Sequence, residues 1–182
     1  MEDVLTPELS DGVVLLRPLT RSDGHDHLAG EDQELVRWLN GGAGTVDTVA
    51  RHITAAQEMW MAGGPTLSFA IRSAQDDRLA GTIDIQLQPD HAPQGFANLA
   101  YGLYAPYRGR GWASRAVELA VEFLNRRGGT SDVLIRVDPA NSASIAVAMR
   151  TSFSVYAEPK DTPDAHIWYR RNLAPVPASG RC

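Results

Sequence analysis

Apolar and polar positions recur along the chain in blocks that predict a succession of strands and helices. Residues 12–19, GVVLLRPL, are β-branched and apolar and read as a first strand. Residues 22–40 read as a helix that ends near WLNGG, where glycines supply a stop. In TVDTVARHITAAQEMWMAGG, Val49, Ile53, Ala56 and Trp60 fall on one face of a second helix. Thr45 or Asp47 caps it, and Gly63-Gly64 ends it.

TLSFAIRS and RLAGTIDIQLQ are strands on either side of AQDD, a hairpin signal, and FANLAYGLY (96–104) is a further strand. From Ala113 to Arg127 a helix is predicted, with Ala116, Leu119, Ala120 and Phe123 on one face and RRGG as its close. DVLIRVD is a strand, NSASIAVAMRTSF a short helix with Asn141 as N-cap, and SVYAE and AHIWYRR a final antiparallel pair. The alternation predicts an α/β (α+β) layer fold, a mixed sheet with helices on its faces. Residues 1–174 read as one domain, and 175–182, within APVPASGRC, as a disordered tail.

With 182 residues and 43% apolar content the chain can bury a real core. No apolar run approaches the roughly 18 residues of a membrane span. The acidic start, MEDVLTPELSDG, lacks the pattern of a signal peptide, so a cytoplasmic protein is expected. Cys182 stands alone at the end, which excludes a disulfide framework and a cysteine metal site. The net charge of −5 argues against nucleic acid as the main partner and is compatible with a cationic one. His25 and His27 form an H-x-H pair with no further ligands at metal spacing, so no metal is expected.

The stretch YRGRGWASRA joins the strand at 96–104 to the following helix. Helix N-termini present unpaired N–H groups and partial positive charge, and glycines let a ligand approach the backbone. Arg108 and Arg110 add full charges, making an anion site sized for a phosphate or pyrophosphate. A tight turn with solvated arginines is the plainer alternative. The pattern is neither G-x-G-x-x-G, since Ser114 takes the third glycine's place, nor a P-loop.

Arg108, Gly111 and Ala113 match R/Q-x-x-G-x-G/A, so the stretch resembles the acetyl-CoA signature of the GNAT N-acetyltransferases. Asn141, Ser144 and Phe153 are similar to that family's later N-x-x-S-…-G-F segment, VVLLRPLTRSD to its opening strand and LAGTIDIQL to its third. The resemblance covers roughly residues 11–173 and points to the branch of ribosomal-protein N-terminal and aminoglycoside acetyltransferases. It implies a twisted mixed sheet of six to seven strands with a splayed central pair. It also implies acetyl-CoA as co-substrate, with its pyrophosphate on the backbone from Gly109 through Arg110, Gly111 and Trp112 to Ala113. Leu103 and Tyr104 would pair with the pantetheine arm, Asn141 would contact it, and Ser144 would stand near the sulfur. Two positions depart from the family: Ala148 replaces the usual tyrosine seven residues after the asparagine, and Ser152-Phe153 replaces Gly-Phe.

Acyl transfer to an amine needs a proton acceptor for the ammonium, a donor to the carbonyl oxygen and, for the leaving thiolate, a proton. Ser144 is the candidate acid. Asp84 is a candidate base or substrate anchor, with a water chain to a distant carboxylate as the alternative. Asn98 occupies a place where some relatives carry glutamate, and an amide accepts no proton. Tyr101, Trp38 and Trp60 read as packing residues, with an acid or acceptor contact the alternative for Tyr101 and the lining of the acceptor cleft that for Trp38 and Trp60. Asp23, Asp26, Glu31, Asp32 and Glu34 lie together without lysine or arginine between Arg21 and Arg37. A solvated helix face is the plainer reading of this stretch; as a functional one, Asp26 and Glu31 suggest an acidic rim for a polycationic amine, hence an aminoglycoside-type antibiotic and resistance by acetylation. A protein N-terminus is the second acceptor, and a non-catalytic acyl-CoA-binding module the reading outside enzymology. The partner expected is a small-molecule amine, with a homodimer left open.

Overall fold

In the computed structural model, which describes residues 7–40, 42–157 and 165–173, the predicted first strand forms as β2 (Val14–Pro18). Val14, Leu16 and Pro18 are buried, alternating with half-buried Leu15 and Arg17. It is preceded by β1 (Leu9–Ser10), too short to register as a hydrophobic pattern. Asp11 makes the turn between them: its Oδ1 accepts from the N–H groups of Val13 and Val14 at 2.9 and 2.8 Å.

The helix expected over 22–40 is broken in two. α1 (Gly24–Gly30) stops at Glu31, whose backbone is extended, and α2 (Gln33–Leu35) runs on into a wider helical turn, Val36–Asn40. The break follows from Asp32. Its carboxylate caps α2 by accepting from Leu35 N–H at 3.1 Å, a bond that requires Asp32 itself to be non-helical. α3 (Val46–Ala62) is capped by Thr45 and ended by Gly63 in the left-handed conformation, with Val49, Ile53 and Ala56 buried.

β3 (Thr66–Ser73) and β4 (Leu79–Leu87) form the expected hairpin, followed by β5 (Phe96–Leu103), α4 (Trp112–Arg127), β6 (Asp132–Val137) and α5 (Ser142–Arg150). β7 (Ser154–Tyr156) pairs antiparallel with β8 (Ile167–Asn172). The strands form one mixed sheet in the order β1-β2-β3-β4-β5-β6-β8-β7, eight strands rather than six to seven. The α/β class and the helices on both faces are as expected. The tail and Cys182 lie outside the described residues. Among the described residues no helix is long and apolar enough to cross a membrane.

Alternation along the strands divides the core. Val14, Leu16, Phe69, Ile83, Ile85, Leu99 and Ile135 face α4 and α5. Ala70 and Leu79 face α1 to α3, packing with Leu35, Val49, Ile53 and Tyr104. Each such aliphatic side chain contributes roughly 1.5–3 kcal/mol when removed from water. Asp23 and Arg72, both nearly inaccessible, pair at 2.6 Å and tie the start of α1 to β3.

One interruption in the sheet positions the site. β5 and β6 run parallel, but pairing covers only Phe96↔Asp132, Ala97↔Val133 and Asn98↔Leu134. Beyond Asn98 the strands part, leaving β5 from Leu99 onward without a partner strand on that side.

Candidate active site

The cleft opened by the parting strands has a volume of about 460 Å³. Tyr101 to Leu103 of β5, the turn into α4, the first turns of α5, and Leu35, Trp38 and Leu39 line it. A larger depression of about 680 Å³ lies between α1 and α3, but its walls are largely aliphatic and it is remote from the splayed strands.

The turn into α4 has the geometry of an anion cradle. Gly109 and Gly111 have φ of +72° and +76°, the left-handed region that glycine enters without steric cost. A Cβ at either would meet nothing within 4 Å, so both face open space. Gly111 is the N-cap, and no side chain caps the helix, leaving the first N–H groups and the positive end of the dipole free for a ligand. These residues fit a pyrophosphate. Trp112 and Ala113 begin the helix, and the Trp112 ring packs against Tyr107 with centroids 5.1 Å apart.

The two arginines part company. Arg110 is exposed and pairs with no described carboxylate. Arg108 donates from Nη1 and Nη2 to Asp32 at 2.7 and 2.9 Å, from Nη1 to Glu34 at 2.9 Å, and from Nε to the Leu103 carbonyl at 2.8 Å. The Arg108 guanidinium holds the Asp32 carboxyl down at about 2. Arg108 is therefore a strut joining α2 to the end of β5, and it also lines the cleft. Of the pair nominated for the pantetheine arm, Leu103 lines the cleft, while the buried Tyr104 side chain lies on the α1–α3 face, its hydroxyl 2.8 Å from His27 Nδ1.

Across the cleft, Asn141 caps α5 by accepting from Ser144 N–H at 3.0 Å, which fixes Ser144 in the first turn. Ser144 Oγ lies 3.0 Å from the Tyr101 hydroxyl. Burial pushes the Tyr101 hydroxyl up to about 12, partly opposed by its bond to Ser144, so Tyr101 stays protonated and able to donate. From the sequence Tyr101 reads first as a packing residue, with an acid or an acceptor contact as the alternatives. The period-two alternation of β5 was the signal that it shares a face with α5. Ala148 is fully buried, and its methyl brings no hydroxyl to the cleft. Ser152 has φ of +62°, the conformation that explains the family's glycine there, and Phe153 is buried as the motif requires.

The remaining candidates are scattered. Trp38 lines the cleft, with the Arg37 guanidinium 4.3 Å from its ring. Asp84 is largely buried on the α1–α3 face opposite Ala100, outside the cleft lining. Burial raises its pKa, against a hydrogen bond from Ser68 and the pull of His52. Asp26 is exposed beside His25, and Glu31 accepts from Gly44 N–H at 2.6 Å. With Asp23 on Arg72 and with Asp32 and Glu34 on Arg108, most of the acidic run is engaged, and it presents no continuous rim. His27 turns inward to Tyr104 and stacks on His52, away from His25. Among the described residues no group of three or more His, Cys, Asp or Glu comes together to hold a metal.

A splayed parallel pair beside an uncapped, glycine-led helix N-terminus defines an acyl-coenzyme A transferase architecture. The family model for the acetyltransferase (GNAT) domain matches residues 14–154, so the chain belongs to the GNAT acetyltransferases. It is an acyltransferase, and acetyl-CoA is the co-substrate that this membership assigns. Among solved structures it resembles the acetyltransferase of Salmonella typhimurium that modifies the N-terminal serine of ribosomal protein L7/L12, at 20% identity and TM-score 0.72, over 89% of this chain and 96% of that one. It also resembles the ribosomal-protein-S5-alanine acetyltransferase of Vibrio fischeri, at 15% identity and TM-score 0.75, over 91% and 96%. A third likeness is the microcin C7 self-immunity acetyltransferase in complex with acetyl-CoA and AMP, at 16% identity and TM-score 0.77, over 94% and 100%. At these identities the likeness shows the fold. No curated protein sequence matches the chain.

Proposed function

We propose that the chain acetylates the N-terminal α-amine of a polypeptide by direct transfer from acetyl-CoA. The observation that carries the chemistry is the Tyr101–Ser144 pair facing the uncapped start of α4 across the parted strands. When bound, acetyl-CoA supplies the thioester. The N–H groups from Gly109 to Ala113, with Arg110, hold its pyrophosphate. The unpaired backbone of β5 pairs with the pantetheine arm and donates to the thioester carbonyl as negative charge develops there. Ser144 Oγ–H gives its proton to the departing sulfur, Tyr101 restores it, and solvent reprotonates Tyr101 as the proton taken up from the amine is released to solvent. Asp84, whose carboxylate burial pushes above its ordinary range, receives the amine's proton through water.

The acceptor assignment rests on the carboxylates. A polycationic aminoglycoside needs free negative charge along its path, and Asp23, Asp32 and Glu34 are bound to arginines. The cleft's second wall is instead Leu35, Trp38 and Leu39, suited to a chain with one amine. The ribosomal-protein acetyltransferases among its fold relatives point the same way. Thiol release from acetyl-CoA, measured against peptides, polyamines and aminoglycosides, tests the reading. Peptide-dependent release is expected. Release with aminoglycosides alone overturns the acceptor, and binding of acetyl-CoA without release to any amine identifies a non-catalytic binding module.

A further inference from the structure

On the α1–α3 face, at the point where β5 and β6 part, stands a polar group that the transfer chemistry above does not use. Asn98 is the last β5 residue paired with β6, and it is only 4% exposed. Its Nδ2 donates to Gln86 Oε1 at 3.0 Å, while its Oδ1 is buried without a partner. Gln86 Oε1 also receives Arg136 Nη2 at 3.4 Å. Arginine only donates, so Gln86 must present its oxygen, Asn98 must answer with its NH₂, and Asn98 Oδ1 is left facing away. Buried acceptors are rarely left unpaired, which makes this one a candidate ligand contact.

Arg136 completes the group. It lies on β6 two residues beyond Leu134, the last to pair with β5, and reaches Gln86 Oε1 on β4, the same atom that accepts from Asn98. Its guanidinium stands over the Trp168 ring, 5.5 Å from the centroid, and no carboxylate of a described residue neutralises it. Ser144 and Tyr101 occupy the α4–α5 face, so an amine arriving over Asn98 meets the thioester from the side opposite its proton donor.

Building on the acetyltransferase reading above, we propose that Asn98 and Arg136 form the acceptor subsite and select an amine with a carboxylate a few bonds away. Asn98 Oδ1 accepts an N–H of the amine and points its lone pair to the thioester. Arg136 binds the neighbouring carboxylate and disfavours acceptors that bring more positive charge. It also lowers the pKa of the bound ammonium, so that the nucleophile is neutral more of the time. The carboxylate belongs either to an acidic second residue of a peptide or to the α-carboxylate of a free amino acid.

The test is steady-state kinetics of the full chain on serine-initiated peptides differing only in a second residue of aspartate, asparagine or lysine, with free aspartate and an aminoglycoside alongside. The expected kcat/KM for the aspartate peptide exceeds that for the lysine peptide by about tenfold, in keeping with a charge pair at a partly desolvated site. Arg136→Gln brings the ratio to within about twofold, Arg136→Lys keeps its sign, and neither moves the KM for acetyl-CoA. Asn98→Leu raises the acceptor KM about tenfold for every amine, and Asn98→Asp, which keeps the acceptor oxygens, restores it. If Asn98→Leu does not fold, the Arg136 ratio and the Asn98→Asp kinetics carry the test. Free aspartate outrunning every peptide assigns the ligand of Arg136 to a free amino acid and overturns the polypeptide acceptor. Peptides turned over without acidic preference, or a preference unchanged in Arg136→Gln, overturn the subsite alone. Turnover of the aminoglycoside only, or of no amine, overturns the acceptor reading and the subsite with it.

Discussion

Asp32→Asn separates two roles for Arg108, a strut for the pyrophosphate turn or a ligand of the phosphates. The Asp32 carboxylate takes Arg108 Nη1 and Nη2 at 2.7 and 2.9 Å and Leu35 N–H at 3.1 Å. Its folded pKa lies at about 2 against an ordinary 3.8, with the Arg108 hydrogen bond the largest cause. Left unscreened, that drop would be worth roughly 2.4 kcal/mol. The side chains are 27% and 34% exposed, so solvent and salt reduce it to about 1 kcal/mol. Because the folded pKa is depressed, this stability is present above about pH 4 and lost as pH falls through about 2, so at pH 7 the variant shows the whole deficit. The expected loss in Tm is roughly 2–4 °C, smaller in high salt. The same arginine holds the Leu103 carbonyl at 2.8 Å, so loosening it lets the turn from Arg108 to Gly111 drift from its geometry for the pyrophosphate. Isothermal titration with acetyl-CoA should then give a Kd raised about threefold to tenfold, or roughly 0.7–1.4 kcal/mol. An unchanged or tighter Kd in a folded variant refutes the strut, and a tighter one shows the freed guanidinium capturing phosphate.

Ser144→Ala should lower kcat more than it raises the KM for acetyl-CoA, and Tyr101→Phe should lower kcat about threefold to tenfold with that KM unchanged; full turnover in Tyr101→Phe leaves Ser144 without its relay. Gly111→Asp has room for its side chain but brings negative charge to the anion cradle, and calorimetry should show acetyl-CoA affinity at least about tenfold weaker. Asp23→Ala strands the Arg72 guanidinium in the core, and denaturant unfolding should register a loss of roughly 3–5 kcal/mol; a loss below about 1 kcal/mol would mean that Asp77 suffices for Arg72. Burial, followed by the charge of His52, holds the His27 imidazole below its ordinary 6.5, so its contribution is present above about pH 6.5 and lost as pH falls further. Tm should therefore fall between about pH 7.5 and 5, and His27→Gln should flatten part of that fall.

Much of the molecule was legible from local sequence, because the forces that make those parts act over a few residues. The face of α3, its Thr45 cap and Gly63 stop, the β3–β4 hairpin and the glycine-led start of α4 depend on periodicity and on backbone conformations open to particular residues. The Asn141 cap was legible from its place before the short helix, while Ser144 entered only through the resemblance to the N-x-x-S segment, and the cap fixes it three residues on. Other features depended on partners far away in the chain. Asp32 breaks the first helix and pairs with Arg108 across 76 residues, and Tyr101 meets Ser144 across 43. The acidic run looked like a charged rim because sequence shows charges without their counterions, and Arg72 and Arg108 arrive only when the sheet assembles. The parting of β5 from β6 is likewise invisible in either strand alone. It is a property of how two well-formed strands diverge, and only tertiary packing decides where their pairing ends, leaving Asn98 at the fork with an oxygen to offer.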